Sequence, residues 1–341
     1  MRAEGWVSQL KRLKVGEPRG MADALTVVPL LTEGDGDRGY ITLDEAVEEK
    51  LAVIPESGEV SKIIVRIEGK KPVLVVEGDI VVGGWQNRVV NISLLLEPGK
   101  KHFIPVSCVE EGRWWARDSL TSLMENEALF VPSNSSAFAE LRRKKVRHFL
   151  EKESPFVLQE MVWEEVDSML WSAGILPPTK DLFQFYEEKR AQIEEILAEF
   201  EPVEGQVGAI IGLGNRIVGI EVFDHPDTWK VRWRKTLTAY ASDVVGMLGR
   251  EKDAKGRLSQ ERAEEFLREV TSAFESEGKE VPAPVGLGKH YLLTTGNVEG
   301  FALVHEGRPI HIFAFPAVQT APISEEKEEE EWVDIEQKIW E

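Results

Sequence analysis

The sequence predicts an α+β protein, in which a β-rich N-terminal portion is followed by a helical middle and a smaller α+β portion. Runs rich in valine and isoleucine, separated by glycine, predict strands in the first half of the chain. Apolar residues then recur with a helical period, and the last third contains both patterns. These portions cover residues 21–134, 135–204 and 205–318, and the two β portions are candidates for a single body. Residues 1–20 are a candidate start extension, and residues 319–341 form an acidic tail.

The first half contains one short helix among its strands. Thr42 and Glu45 have the spacing of a capping box, which predicts a helix over residues 45–50. Residues 62–68 alternate between apolar and polar positions, which predicts a strand with one solvated face. Residues 73–76 are apolar on both faces and predict a central strand. In all, strands are predicted over residues 25–31, 51–54, 62–68, 72–77, 80–82, 88–96 and 102–109.

The middle of the chain predicts helices, and the last third mixes helices with strands. Gly174 and the pair Pro177-Pro178 mark a break before the third helix of the middle. A short turn at Gly214-Asn215 predicts a hairpin. The predicted helices are residues 136–153, 156–172, 179–200, 228–248 and 259–274. The predicted strands are residues 207–213, 216–223, 291–295, 300–305 and 310–315.

The charge of the chain excludes one class of function. Its 341 residues include 41 Lys and Arg against 60 Asp and Glu, a formal net charge of −19. Residues 325–341 hold nine of these carboxylates and two lysines, and residues 1–20 are net +3, so the body between them carries −15. A body this acidic repels phosphate backbones, which excludes general nucleic-acid binding. We interpret the acidic tail as solvated, although the spacing of Ile335 and Ile339 would also allow a short helix that docks on a neighbour.

The composition also bears on the cellular environment of the protein and on its cofactors. No apolar run is long enough for a transmembrane helix. The single cysteine excludes a disulfide framework and fits a reducing, cytoplasmic environment. Asn and Gln are few while Glu, Lys and Arg are abundant, a composition that resembles that of thermophile proteins. The six histidines lack metal-binding spacing, so no metal is predicted, and no cofactor is identified. Gly212 and Gly214 do not form a dinucleotide fingerprint, because Ile217 stands where that motif needs glycine.

The densest polar signal lies among apolar strands at residues 77–91. Adjacent glycines there allow the backbone to approach a ligand closely. Amide and guanidinium side chains offer hydrogen bonds to a polar small molecule, and an arginine suits a carboxylate or phosphate. The ligand-binding candidates are Gln86, Asn87, Arg88 and Asn91. The acid–base candidates are Glu77 and Asp79, since a partly dry pocket can raise a carboxyl pKa. Alternatively, the amides only satisfy a turn and a bulge.

A second polar motif follows the strand predicted over residues 102–109. Cys108 is a candidate nucleophile, because a nearby cation such as Arg113 could lower the pKa of its thiol. A buried free cysteine in a strand is more often a small hydrophobic residue, and a nucleophile also needs a base. Glu110 is a further acid–base candidate and Arg113 a candidate phosphate contact. Their spacing favours a structural ion pair over either role.

One strongly basic run, residues 142–148, lies on the first predicted helix of the middle. Runs of charge are usually solvated faces, and this is our interpretation of the run. The alternative is an anion-binding surface, in which Arg142 would contact a phosphate.

The two polar motifs resemble a known family. The Gln86-Asn87-Arg88 motif, followed by PVSCVE-x-GRW at residues 105–114, resembles ARPP, the ARG and rhodanese-phosphatase-superfamily-associated protein domain. The similarity covers nearly all of residues 25–315, and the PVSCVE-x-GRW stretch is its specific part. Trp85 departs from the pattern, where a smaller or polar residue is expected. The family is named for its association with ADP-ribosylglycohydrolases and rhodanese-phosphatase proteins. The resemblance therefore implies a role near ADP-ribose, NAD or phosphoester metabolism, without naming a reaction.

Three functions remain open at this point. The first is an enzyme or binding protein for a small anionic, phosphorylated nucleotide-like molecule such as ADP-ribose. The second is a non-catalytic assembly protein, for example a homo-oligomer with tryptophan anchors. The tryptophans in polar contexts are Trp85, Trp114, Trp115, Trp229, Trp233, Trp332 and Trp340. The third is a thiol-dependent enzyme that uses Cys108.

Overall fold

A computed structural model describes most of the chain. The described residues are 4–20, 22–34, 36–113, 129–152, 154–176, 178–247 and 255–317. Trp114, Trp115 and the acidic tail lie outside them. The helices of this part are α1 Glu4–Leu10, α2 Leu43–Glu48, α3 Ala139–Lys152, α4 Gln159–Ser172, α5 Leu182–Glu188, α6 Arg190–Leu197, α7 Pro226–Met247 and α8 Gln260–Glu277.

Seventeen strands accompany these helices in the part of the chain that the structure describes. The strands of the first half are β1 Lys14–Val15, β2 Leu25–Leu31, β3 Ile41–Thr42, β4 Ala52–Pro55, β5 Lys62–Ile67, β6 Val73–Val75, β7 Asp79–Gly83, β8 Arg88–Val90, β9 Leu94–Leu96, β10 Lys101–Cys108 and β11 Leu129–Ser136. The later strands are β12 Gln206–Leu213, β13 Arg216–Phe223, β14 Lys279–Pro282, β15 Lys289–Thr294, β16 Val298–His305 and β17 Arg308–Pro316.

The strands form three sheets. The largest has eight strands in the order β1-β2-β12-β13-β17-β16-β15-β14, and all its pairs are antiparallel. A closed six-stranded barrel has the order β10-β5-β4-β11-β7-β8. A small sheet, β3-β6-β9, completes the β structure. The eight-stranded sheet therefore combines strands from both ends of the chain.

Alternate side chains of the eight-stranded sheet face two different cores, as the two-residue period of a strand requires. Val28, Ile210 and Ile312 point to one side, where α1 and α8 cover them with Trp6 and Phe274. The residues between them point to the other side and pack with the barrel and the helices of the middle. The sheet is thus the layer that joins the first and last thirds of the protein.

The α+β class is confirmed, and so are several local predictions. Thr42 and Glu45 form the capping box at the start of α2. The strand β6 is buried and central in its three-stranded sheet. The strand β5 buries Ile63 and Val65 and leaves Arg66 exposed. The turn at Gly214 joins β12 to β13 as an antiparallel hairpin.

Three predictions need correction. The strand predicted over residues 88–96 is two strands, β8 in the barrel and β9 in the three-stranded sheet. The helix predicted over residues 179–200 is two helices, because the chain breaks at Lys189, whose φ and ψ of −97° and 5° are not helical. The break lets the apolar residues of α5 and α6 both reach the core. In addition, residues 129–136 form the strand β11, which the sequence did not predict. Its Pro132 and serines resemble a loop, and pairing with β4 and β7 overrides that local preference.

No helix within the described ranges is long and apolar enough to cross a membrane.

The contact between β12 and β13 generates a prediction about stability. A Cβ atom at Gly208 would lie 2.1 Å from the carbonyl oxygen of Glu221 and 2.8 Å from the Cα atom of Val222. Gly208→Ala must therefore push the two central strands apart, and we expect a loss of about 1–3 kcal/mol in the free energy of unfolding. Urea unfolding measures this change. Gly5→Ala is the matched control, since nothing lies within 4 Å of that position; equal midpoints for the two variants would contradict the prediction.

Candidate functional site

All ten site residues predicted from the sequence are buried, with 6% exposure or less. The structure brings six of them together in one group, which we call the Cys108 cluster. Its members are Gln86, Asn87, Arg88, Cys108, Glu110 and Arg113. Glu77 and Arg142 meet in a second group, and Asp79 belongs to a third. Asn91 lies apart, where it accepts a hydrogen bond from Ser107 and donates to the carbonyl of Pro155.

The turn between β7 and β8 folds around groups of the protein itself. Gly83 and Gly84 have φ values of 117° and 49°, which favour glycine. Arg113 donates to the carbonyl oxygens of Gly84 and Gly83 over 2.9 and 3.2 Å. The backbone N–H of Trp85 donates to a carboxylate oxygen of Glu56 over 2.9 Å. A basic and an acidic side chain of the protein thus bind the backbone of this turn.

The predicted ion pair between Glu110 and Arg113 is confirmed. Two parallel hydrogen bonds of 2.8 and 2.7 Å join the guanidinium to the carboxylate. Both side chains are almost completely buried, and the same carboxylate accepts the backbone N–H of Asn87. The side chain of Asn87 reaches the carboxylate of Asp181, which caps the start of α5. The motif therefore ties the barrel to the helical middle.

The geometry around Cys108 favours a thiol over a thiolate. Its sulfur donates to the side-chain oxygen of Gln86 over 2.9 Å, and Arg88 donates to that same oxygen. Burial raises the pKa of the Cys108 thiol to about 11, although Arg88 acts in the opposite direction. Glu56 and Glu110 add to the increase. A protonated sulfur at neutral pH is a weak nucleophile.

The prediction of a solvated basic face is wrong for Arg142 and Lys145. Each is 1% exposed, because their three-residue spacing on α3 places both on the face that packs inward. Lys144, between them, is 42% exposed and follows the prediction.

Arg142 belongs to a closed ring of hydrogen bonds, which we call the Glu77 ring. Arg142 donates to Glu77 over 2.7 Å and to Glu221 over 2.5 Å. His311 is 3.1 Å from the other oxygen of Glu221, and its second ring nitrogen is 2.8 Å from the hydroxyl of Ser93. The Ser93 hydroxyl accepts the backbone N–H of Glu77, which closes the ring.

The protonation states of the ring are consistent with one another. Burial alone would raise the pKa of Glu221, but Arg142 and His311 outweigh it and lower that pKa to about 2. Burial lowers the pKa of His311, so its imidazole is neutral at pH 7. An ionised Glu221 only accepts, so the Nε2 of His311 carries the proton and its Nδ1 accepts from Ser93. Lys145 donates to Glu77 over 2.9 Å and balances the second carboxylate.

A second buried group of charges adjoins the ring. Arg232 of α7 donates to Asp79 over 2.5 and 3.0 Å and to Asp44 over 2.9 Å. Lys235 donates to Asp44 over 2.9 Å. Burial opposes ionisation of Asp44, but Lys235 and Arg232 outweigh it and lower the pKa of that carboxyl to about 2. Asp79 is therefore held in ion pairs with Arg232 and Lys235 rather than left as a free acid.

One cavity is lined by charged and polar side chains, among them the ion pair of Arg143 and Glu140. It has a volume of about 540 Å³ and lies between α3, α7 and β13. We call it the Asp243 cavity. Its polar lining comprises Glu140, Arg143, Arg216, Tyr240 and Asp243. Its apolar walls include Leu25, Ile217, Val218 and Phe315.

Asp243 is the most perturbed acid of this cavity. Its carboxyl group lines the cavity beside Glu140 and Arg143 of α3. Its Oδ1 atom is buried and has no hydrogen-bond partner among the described residues. Burial, then the charge of Glu140, raises the pKa of Asp243 to about 8, despite the opposing effect of Arg143. A carboxyl group that titrates near neutral pH inside a cavity is typical of functional sites.

The cavity touches the Glu77 ring. Tyr240 lines the cavity, and its hydroxyl donates to Glu221 over 3.0 Å. Glu77 and Arg142 therefore lie one layer behind the cavity wall. Sequence reasoning missed Asp243 and Tyr240. One feature of the sequence could have indicated Asp243. It is the single acidic residue in the run of small and apolar residues from Ala239 to Val245.

Within the described part of the chain, no three His, Cys, Asp or Glu side chains come together in a way that could hold a metal ion.

Comparison with known families identifies the class of this chain. The family described as the ARG and Rhodanese-Phosphatase-superfamily-associated Protein domain, ARPP-1, matches residues 12–315. The chain belongs to this family, and the resemblance seen in the two polar motifs is confirmed. Neither the curated proteins nor the solved structures contain a match.

The Glu77 ring generates a prediction about stability. Arg142→Met leaves Glu77 and Glu221 with unbalanced charge in a dry interior, so we expect a loss of about 3–5 kcal/mol in the free energy of unfolding. Lys144→Met is the matched control on the same helix, and we expect it to cost less than about 1 kcal/mol because its ion pair is exposed. Urea unfolding at pH 7 measures both. Similar losses in the two variants would show that the ring does not stabilise the fold.

The state of Cys108 generates a second prediction. With its pKa raised from 9.0 to about 11, the thiolate fraction at pH 7 falls about a hundredfold, since each pKa unit is a factor of ten. We expect iodoacetamide to modify the folded chain at least that much more slowly than the urea-unfolded chain, which is the control. Equal rates for the folded and unfolded chains would instead support the hypothesis of a thiol-dependent enzyme.

Proposed function

We propose that this protein binds a small phosphorylated, nucleotide-like molecule in the Asp243 cavity. The observation that carries the proposal is the meeting of two arginines and two carboxyl groups on apolar walls. The volume of about 540 Å³ lies within the range of roughly 300–1,000 Å³ that small-molecule sites occupy.

The lining of the cavity offers a complementary side chain for each part of such a ligand. The guanidinium groups of Arg143 and Arg216 suit phosphate oxygens, to which they can donate in pairs. Ile217 and Phe315 provide an apolar surface for a base or a ribose ring. The carboxyl group of Asp243, which lines the cavity, can hydrogen-bond a ligand hydroxyl.

The local charge also supports an anionic ligand. Below pH 8 the carboxyl group of Asp243 is mainly protonated, since its pKa is about 8. The lining then holds two arginines against the single charge of Glu140, a net +1 within an acidic protein. Tyr240 stays neutral because burial and Glu221 raise its pKa well above the ordinary value.

The family supports a first choice of ligand. Its description records an association with ARG and the rhodanese-phosphatase superfamily. This association, together with the motif resemblance, makes ADP-ribose the first ligand to test. The single cysteine supports a reducing, cytoplasmic environment. In this proposal Glu77 and Arg142 position the cavity wall through Glu221 and Tyr240. The Cys108 cluster, whose polar groups bind one another, stabilises the barrel; a ligand contact there stays a prediction.

Calorimetric titration tests the proposal with ADP-ribose, NAD and inorganic phosphate as probes. We expect at least one to bind, and Arg143→Ala or Arg216→Ala to weaken that binding about tenfold, since a hydrogen bond to a charged group contributes roughly 1.5–3 kcal/mol. Arg66→Ala, on the exposed face of β5, is the control and should bind normally. Affinity should also fall between pH 7 and 9, as Asp243 ionises, and Asp243→Asn should abolish that fall. No binding of any probe, or binding that ignores both cavity arginines, would overturn the proposal.

A further inference from the structure

A groove on the opposite side of the eight-stranded sheet has no role in the proposed function. It has a volume of about 670 Å³ and lies between the N-terminal segment and α8. Its floor is apolar and consists of Leu10, Leu13, Val15 and Leu267. We call it the α1–α8 groove. Leu13 and Val15 are half-buried, so they still offer apolar surface to a partner.

The rim of the α1–α8 groove is basic, unlike the protein as a whole. Lys11, Lys14 and Arg268 line it, against the single carboxylate of Glu264. Lys11, Lys14 and Arg268 form ion pairs with Glu275, Glu33 and Glu264. These pairs are at least 41% exposed on both sides, and exposed pairs contribute little free energy. The cations can therefore exchange their present partners for other carboxylates.

We propose that the acidic tail of this same chain, residues 325–341, occupies the α1–α8 groove. The tail carries nine carboxylates against two lysines, which complements the basic rim. It also carries large apolar side chains, which complement the floor: Trp332, Val333, Ile335, Ile339 and Trp340. A groove with a basic rim and an apolar floor favours a partner that is both acidic and apolar.

The last described residues of the chain lie beside α8. The strand β17 ends at Pro316, and Ala317 donates its N–H to the carbonyl of Asn297 over 2.7 Å. Pro316 and Ala317 line a cleft together with Arg262, Phe266 and Glu269 of α8. The chain therefore leaves its last described residue beside the same helix that forms one wall of the groove.

Seven residues, 318–324, separate that exit point from the first acidic residue. Seven extended residues span at most about 25 Å, whereas a helix with its side chains is about 10–12 Å wide. The tail can therefore reach across α8. Because it is tethered, its effective concentration at the groove is in the millimolar range, so even a weak contact would be occupied.

A synthetic peptide of residues 325–341, titrated into the chain truncated after Ser324, tests the proposal. We expect the peptide to bind, and to bind at least tenfold more weakly to a truncated chain that carries Lys14→Glu and Arg268→Glu. Lys62→Glu and Arg66→Glu together, whose side chains are partly exposed on β5, are the matched charge-reversal control and should leave binding unchanged. The full-length chain should bind the peptide at least tenfold more weakly than the truncated chain, because its own tail competes.

Three results would overturn the proposal. The first is no binding to the truncated chain, and the second is binding that the reversal of Lys14 and Arg268 does not weaken. The third is equal binding by the full-length and truncated chains. Light scattering supplies a further such result, since a full-length dimer that becomes a monomer on truncation would show that the tail binds a second copy rather than its own chain. None of these results depends on a ligand in the Asp243 cavity.

Discussion

The Glu77 ring is the interaction on which the assembly of this protein depends. Glu77 and Ser93 come from the first half of the chain, Arg142 from the helical middle, and Glu221 and His311 from the eight-stranded sheet. In a dry interior each of these groups is stable only while its partners are in place, because an uncompensated charge there is costly. The three portions of the chain are therefore held in one arrangement, and the fold cannot loosen at one junction without exposing the others.

The same reasoning separates structural polar groups from candidates for function. The Cys108 cluster contains the most reactive residue types of the chain, yet its carboxylate, guanidinium and amide groups bind one another or the backbone. The Asp243 cavity holds fewer such groups but keeps one buried oxygen without a partner. A binding site needs space that a ligand can enter, and the cavity of about 540 Å³ supplies such space, whereas the members of the Cys108 cluster are buried.

Much of the secondary structure could be predicted because its causes are local. A capping box, a glycine turn and an alternation of apolar residues act within a few positions, and Thr42, Gly214 and the strand β5 follow them. Where a distant partner decides the outcome, the prediction failed. The strand β11 exists because β4 and β7 pair with it, and the helix beyond Asp181 breaks at Lys189 to keep two apolar surfaces in the core.

The sequence by itself determined the α+β class, the net charge of −19, the family and the ion pair between Glu110 and Arg113, whose spacing is three residues. Only the tertiary structure decided that Arg142 is buried rather than solvated, since its partner Glu221 lies 79 positions away. It also decided which acid faces a cavity. Local spacing specifies which side chains share one face of a helix. Their protonation state and their exposure depend on distant segments of the chain, which come together only on folding.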